Sequence, residues 1–349
     1  MQGILTPHEE LEGEVRALWQ LCFGDDDLFL DSYFADAYQR ESTLLYQEKG
    51  RVVAHLQYPQ LSLIETAETM QAGYILAACT HPDYRGRGYM RVLLVEALRR
   101  EQARGDVLSV IIPAEGWLWD YYQRTGGYAP LPNARQTEDE RAVLDEVDPD
   151  YTAPTLLDYL CGIEQLIAEP HLTHSRGMWE VILRDYEVHL DRLVQEHRDQ
   201  AGRVAGAIFV VWVGEGYSAE AIFGTREVRE ALLRKLGQAL PPNSFTYNLR
   251  PSARGRSFSK GMIRILDMPA FLQYCLRRDP ELAFDFDYED EVLPRQNGHY
   301  HCVGDGKLIV SEVKEGASTP VRSTAEVLEF LGLTSSHRMG IALPLFFDR

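Results

Sequence analysis

The chain lacks long apolar stretches: no run of about 18 apolar residues occurs in its 349, and the first ten residues hold no basic stretch followed by an apolar one. A membrane span and a secretory leader are therefore not expected, and the protein is expected to be cytoplasmic. Cysteine is scarce. Cys22, Cys79, Cys161, Cys275 and Cys302 are odd in number, widely spaced and without a C-x-x-C pair, which argues against a disulfide framework and against a zinc site. The ten histidines form no H-E-x-x-H pattern, and His299-Tyr300-His301, with no thiolate pair nearby, reads as structural, so no metal is expected. Positive charge is also in deficit. With 35 basic against 53 acidic residues the formal charge is −18, and the repulsive field makes nucleic acid and anionic membranes poor partners, while a cationic amine would be attracted.

What is present is an ordinary globular composition, 45% hydrophobic and 25% charged, on a chain long enough for two or three domains. The most informative stretch follows a strand-like run, Tyr74-Ile75-Leu76-Ala77-Ala78-Cys79. It reads Thr80-His81-Pro82-Asp83-Tyr84-Arg85-Gly86-Arg87-Gly88-Tyr89-Met90-Arg91 and leads into a helical pattern over residues 92–100. The first turn of a helix carries unpaired N–H groups and the positive end of the dipole. Gly86 and Gly88 let an anion approach the backbone, and Arg85 and Arg87 add charged donors. Strand, glycine turn and helix in this order predict a site for a pyrophosphate.

Around it the periodicity predicts two helices (9–22 and 28–38), strands at 42–47 and 52–64 joined by a Glu48-Lys49-Gly50-Arg51 hairpin, and the strand 72–79. A buried strand at 107–112 follows the central helix and stops at Pro113, which cannot continue a ladder. Then come a short helix, a Gly126-Gly127 turn and an aromatic strand. The charged segment 138–150 reads as a surface crossing between domains. Beyond it, strands at 204–213 and 217–223, a helix at 228–240 and a strand at 243–250 repeat the first plan, but the turn Gly224-Thr225-Arg226-Glu227 lacks the paired glycines and arginines and cannot hold a pyrophosphate in the same way. A strand-like run over 257–267, a helix over 268–278, a hairpin turn at Asn297-Gly298 and a late helix (323–331) capped by Ser323 or Thr324 complete the chain.

The string Arg85-Gly86-Arg87-Gly88-Tyr89-Met90 resembles the acetyl-CoA signature of the GNAT N-acetyltransferases, with Met90 where most of the family has a small residue. The stretches 257–267 and 293–300 resemble the enhanced intracellular survival (Eis-type) branch. The resemblance implies an α/β (α+β) fold with three units: an acetyl-CoA-binding domain at 1–135, a degenerate GNAT-like domain at 136–256, and a sterol-carrier-protein-like domain at 257–349. It implies an acetyl-CoA-dependent N-acetyltransferase acting on a primary amine of a small cationic molecule or lysine, in a homo-oligomer.

By the same resemblance, backbone of Ala78, Cys79 and Thr80 meets the thioester and pantetheine, and Arg85, Gly86, Arg87, Gly88, Tyr89 and Met90 hold the pyrophosphate. Tyr122 protonates the leaving thiolate, with Tyr121 and Tyr128 left open by the extra glycine. The carboxylate of the terminal Arg349 is implied as the base, beside Glu115, Asp25 and Asp26 as internal carboxylates. The competing reading is a non-catalytic acyl-CoA or lipid-binding protein.

Overall fold

The computed structural model describes residues 3–65, 68–131, 134–214, 216–240, 245–250, 253–313, 320–333 and 341. A short strand β1 (Gly3–Leu5) precedes the helices α1 (Glu12–Phe23) and α2 (Asp27–Asp36). The Asp26 side chain caps α2 by accepting from the Phe29 N–H at 2.9 Å. Lys49 and Gly50, both left-handed (φ 51° and 82°), turn β2 (Thr43–Glu48) into β3 (Arg51–Gln57), as the hairpin signal predicts. The strand expected over 52–64 is two: the chain breaks at Tyr58-Pro59, where proline has no donor for the ladder, and β4 (Gln60–Glu65) turns back onto β5 (Glu68–Thr80). Helix α3 (Tyr89–Arg104) returns to β6 (Leu108–Ile111), parallel to β5, and α4 (Gly116–Gly126) leads to β7 (Ala129–Leu131). Gly127 ends α4 with φ 70°, and a Cβ there would lie 3.2 Å from the Arg264 guanidinium carbon, so conformation and space both favour glycine.

The second sheet is built from β8 (Ala134–Thr137), β10 (Arg192–Arg198), β11 (Val204–Val213), β12 (Gly216–Phe223), β13 (Phe245–Leu249) and β14 (Arg256–Phe258), in the order β10-β11-β12-β13-β8-β14. The expected domain divisions, 135/136 and 256/257, both fall inside strands of this sheet. Between them lie α5 (Glu140–Asp145), α6 (Leu156–Ile163), β9 (His171–Leu172), which pairs with β4, and α7 (Arg176–Val188). Helix α8 (Arg226–Ala239) joins the parallel strands β12 and β13, repeating the β5-α3-β6 plan.

The segment 138–150 is mostly exposed, as expected of a surface crossing, but it is anchored at three buried residues. Ala142 and Val143 bury against α8, and Asp148, 3% exposed, accepts from the Gly224 N–H at 2.7 Å and from Arg229 Nη2 at 2.9 Å. A carboxylate of the chain itself thus occupies the strand-to-helix turn of the second unit, where an anion would otherwise be drawn.

Strand β15 (Gly261–Ile265) leaves the second sheet's neighbourhood and inserts between β6 and β7, so the first sheet runs β1-β2-β3-β5-β6-β15-β7. After α9 (Met268–Arg278), a three-stranded antiparallel sheet of β16 (Ala283–Tyr288), β17 (Gly298–Val303) and β18 (Ile309–Ser311) follows, then α10 (Thr324–Phe330). Arg264 of β15 clamps this sheet to the first through Asp290, the Tyr288 hydroxyl at 3.1 Å and Thr324 Oγ1 at 3.2 Å. Asn297-Gly298 is not a two-residue turn. Asn297 is extended (φ −68°, ψ 134°) and its Oδ1 accepts from the Asp290 N–H at 2.7 Å, while Gly298 already begins β17. Ser323, rather than Thr324, caps α10, accepting from the Glu326 N–H at 3.2 Å. The His299 and His301 rings pair with Asp287 and Asp285 on the outer face of this sheet, and among the described residues no cluster of His, Cys, Asp or Glu could hold a metal ion. One apolar core contains residues of all three parts, from Trp19 through Trp179 and Phe209 to Phe271 and Phe286. Among the described residues no helix is long and apolar enough to cross a membrane.

Candidate active site

Strands β5 and β6 pair from Ala72–Leu108 to Ile75–Ile111 and then part. Two features produce the split. Pro113 follows β6 and offers no N–H to a neighbour. On the other side, β5 bulges: against β3 its register passes from Leu76 opposite Gln57 to Cys79 opposite His55, and Ala77 takes a left-handed conformation (φ 50°). A non-glycine residue held at positive φ stores strain that the surrounding structure must stabilise, and such residues concentrate at functional sites.

The split opens into a cavity of about 490 Å³, within the range of small-molecule sites. One wall is β5 from Tyr74 to Ala78, facing Ile111, Ile112, Pro113 and Ala114. Helices α1 and α2 add Trp19, Phe23 and Phe29, and their connection adds Asp25, whose Oδ2 accepts from Trp19 Nε1 at 2.7 Å. Helix α4 contributes Leu118 and Tyr122. The second sheet closes the far side with Glu220, Asn248 and Phe258, followed by Ser259 and Lys260.

The basic turn lies beyond the same end of β5. Gly86 (φ 76°) and Gly88 (φ 81°) are left-handed, and a Cβ at either would meet nothing within 4 Å, so open space fronts both. Gly88 is the N-cap of α3, and no side chain caps it and no acid lies in the first turn. The helix therefore presents its free N–H groups and positive dipole end outward. Arg85 and Arg87 are exposed. Arg85 Nε donates to the Thr80 carbonyl at 3.2 Å, and Arg87 Nη2 to the Asp83 carbonyl at 3.1 Å, which holds both cations beside the turn. Tyr89 stacks on Tyr46 with centroids 4.4 Å apart and donates to Glu48; Met90 is half-buried on the next position. The Cys22 thiol, which contacts Cys79 and lies in the field of Arg85, is lowered to about 7, whereas burial pushes Cys79 well up.

Of the three strand residues predicted to meet a thioester, Ala78 lines the cavity. Cys79 turns its side chain away, toward His55 and the Leu18 carbonyl, and the Thr80 carbonyl accepts from Arg85. The structure separates the three tyrosines. Tyr122 lines the cavity, and burial raises its phenol well above the usual range. Tyr128 is fully buried and shares a 2.7 Å hydrogen bond with Ser109, and Tyr121 packs against Trp117 and Tyr122 outside the cavity lining. Of the internal carboxylates, Asp25 lines the cavity. Asp26 caps α2, and Glu115 accepts from the exposed Trp117. Arg349 lies outside the described residues.

Outside the cavity lining, one buried carboxyl is perturbed. Glu101 of α3 is 0% exposed, neither oxygen has a hydrogen-bond partner among the described residues, and burial pushes it up to about 8 from 4.5. Because the folded value lies above the unfolded one, the folded state binds the extra proton. The group's contribution to stability is complete below about pH 4.5, declines as pH rises, and is lost above about 8. Glu101→Gln should therefore unfold at higher urea than wild type at pH 9, by on the order of 2–5 kcal/mol, with the gap closing at pH 5. An equal gap at both values would show that packing, not ionisation, separates the two proteins.

Sequence reasoning missed Glu220, Asn248 and Lys260, because a strand pattern does not say which other sheet a polar residue faces. A weak signal existed: Glu220 interrupts the otherwise apolar or small run 217–223.

The fold thus brings a split parallel strand pair next to an uncapped helix start. Residues 6–131 match the family model described as the acetyltransferase (GNAT) domain, so the chain carries a GNAT domain and is an acyltransferase. Solved structures share its fold over nearly the whole length. A GCN5-related N-acetyltransferase from Kribbella flavida is 16% identical, with 95% of this chain and 89% of that one covered at a TM-score of 0.65. One from Anabaena variabilis is 14% identical, covering 90% and 86% at 0.63. Eis1 from Mycobacterium abscessus is 12% identical, covering 95% and 90% at 0.62. At these identities the likeness is one of fold. No curated protein matches the sequence.

Proposed function

We propose that the protein is an acetyl-CoA-dependent N-acetyltransferase acting on a primary amine. The observation that carries this reading is the coincidence of three features at one end of β5: the uncapped, arginine-flanked start of α3, the split between β5 and β6, and Tyr122 within it. The α3 N–H groups, Arg85 and Arg87 would hold the pyrophosphate of acetyl-CoA, and the bulge at Ala77-Ala78 would turn backbone toward the thioester.

Chemistry then needs a neutral amine. Asp25 faces the incoming ammonium and takes its extra proton to solvent. The amine nitrogen attacks the thioester carbonyl carbon; the C–N bond forms and the C–S bond breaks. The proton left on nitrogen replaces the one that Tyr122 gives to the departing thiolate, so amide and free thiol are the products. A buried phenol with a raised pKa keeps its proton until a thiolate develops beside it.

The same reading divides the chain into the acetyl-CoA-binding domain, a degenerate copy and a sterol-carrier-like C-terminal unit, and places it in the cytoplasm as a homo-oligomer. The parallel β12-α8-β13 plan, closed by Asp148, supports the degenerate copy. The three-stranded sheet with α9 and α10 supports the last unit, and light scattering checks the oligomer.

Calorimetry of acetyl-CoA binding tests the reading directly. Two charge-assisted donors contribute roughly 1.5–3 kcal/mol each, so Arg85→Ala/Arg87→Ala should weaken binding by about 10² or more. No binding to the wild type would sink the transferase reading and favour a protein that holds an apolar ligand without turnover.

A further inference from the structure

We propose that Cys22 and Cys79 are an oxidisable thiol pair: a peroxide converts them to a disulfide that ties α1 to β5 and weakens the anion site at the start of α3. The chemistry of the pair stands on its own, and its effect on acetyl-CoA rests on the function proposed above.

The pair is set by the packing of one helix on one strand. Val15, Leu18 and Cys22 recur at helical spacing along α1 and pack with Cys79 of β5 in one small core. Each sulfur reaches backbone beside the other residue. Cys22 Sγ lies 3.6 Å from the carbonyl of Thr80, one residue past Cys79, and Cys79 Sγ lies 4.0 Å from the carbonyl of Leu18, one helical turn before Cys22. The two thiols are in contact. The other three cysteines sit apart in sequence on α6, α9 and β17.

The two members differ as an oxidisable couple requires. Cys22 is half-buried, so a small oxidant reaches it, whereas Cys79 is 5% exposed. The hydrogen bond to Cys79 and the field of Arg85 lower the Cys22 thiol to about 7, so a large fraction is thiolate at neutral pH, and the thiolate is the form that a peroxide oxidises. Burial keeps Cys79 a thiol, held beside His55 Nε2 at 3.2 Å, where it meets the oxidised Cys22 second. Burial also raises Cys161 and Cys275, which makes them poorer targets.

In the first step the Cys22 sulfur attacks one peroxide oxygen; the S–O bond forms, the O–O bond breaks and hydroxide leaves. The Cys79 sulfur then attacks the Cys22 sulfur. The S–S bond forms, the S–O bond breaks, and the Cys79 proton leaves with the hydroxyl as water. Two thiols and one peroxide thus give one disulfide and two waters.

Closing the bond draws the sulfurs from contact to covalent distance. The pull falls on Cys79, which sits between Ala78 of the cavity lining and Thr80, whose carbonyl holds Arg85 at 3.2 Å. The strand is already strained two residues earlier, at the left-handed Ala77. A shift on the order of 1 Å at a positioned group is costly, and here it moves both the strand end and the cation beside the turn.

Reduced protein is treated with hydrogen peroxide, the remaining thiols are alkylated in denaturant, and peptides are mapped by mass spectrometry. The Cys22–Cys79 disulfide is expected to form first, with Cys161, Cys275 and Cys302 still alkylated. Calorimetry on the oxidised protein, freed of peroxide, should show acetyl-CoA bound about tenfold or more weakly, and dithiothreitol should restore the affinity. Cys22→Ser should bind acetyl-CoA like reduced wild type both before and after peroxide. Cys79→Ala, with circular dichroism matching wild type, should leave Cys22 as a sulfenic acid that dimedone traps. Cys22 oxidised without a bond to Cys79, another cysteine reacting first, or unchanged acetyl-CoA affinity in the disulfide form overturns the proposal. If the disulfide forms but reduced wild type binds no acetyl-CoA, the thiol pair stands and the acetyl-CoA reading falls.

Discussion

Tyr122→Phe should lower acetyl transfer by about 10²-fold or more at neutral pH while acetyl-CoA still binds as it does to wild type. The change removes one hydroxyl from a side chain that is 5% exposed and lines the cavity, and leaves the ring that packs between Tyr121 and Tyr128. Loss confined to kcat identifies an interaction made as the thiolate leaves, whereas a matching loss of acetyl-CoA affinity would mean that the residue merely shapes the pocket. Tyr128→Phe is the contrasting variant. It breaks the hydrogen bond to Ser109 in the core and should lower the urea midpoint with much less effect on rate. Full turnover in Tyr122→Phe would remove this residue from the proton route.

Asp148→Ala should destabilise the protein by about 3–5 kcal/mol in urea unfolding, because it strands two buried guanidiniums. Arg229 is 0% exposed and Arg250 is largely covered; both bond to the Asp148 carboxylate, which also receives the Gly224 N–H. Glu146 and Glu169 remain near the two arginines and limit the loss. Asp148→Asn keeps an acceptor for Gly224 but not the charge, and should fall between. A loss below about 1 kcal/mol for the alanine variant would show that water or the neighbouring glutamates replace the carboxylate.

Much of the first domain was legible because its signals are local. Lys49-Gly50 and the glycine turn at 86–88 need backbone conformations that few residues adopt, and Pro113 ends a strand for want of an N–H. The remainder depends on partners distant in sequence. Asp148 looks like a solvated acid in a charged segment until Arg229 and Arg250 arrive from 81 and 102 residues away. Asn297-Gly298 carries a hairpin signature, yet Asp290 engages the Asn297 side chain and the turn forms elsewhere. Strand β15 gave no sign of its destination, since an apolar run over 261–265 is equally suited to any sheet with an open edge. The cavity shows the same division. Its signature turn and Tyr122 could be named from their neighbours in sequence, while Glu220, Asn248 and Lys260 meet it only through the packing of one sheet on another.

The place of β15 also sets an order of events during synthesis. Until residue 265 has emerged, β6 has one bare edge and β7 has no strand to pair with, so the acyltransferase sheet is incomplete although its own first 131 residues are already made. At roughly 5–20 residues per second that wait lasts on the order of 10 s, during which the edge of Leu108–Ile111 is exposed to other chains. The sheet that lines the candidate site is thus closed by a strand translated well after the rest of that sheet.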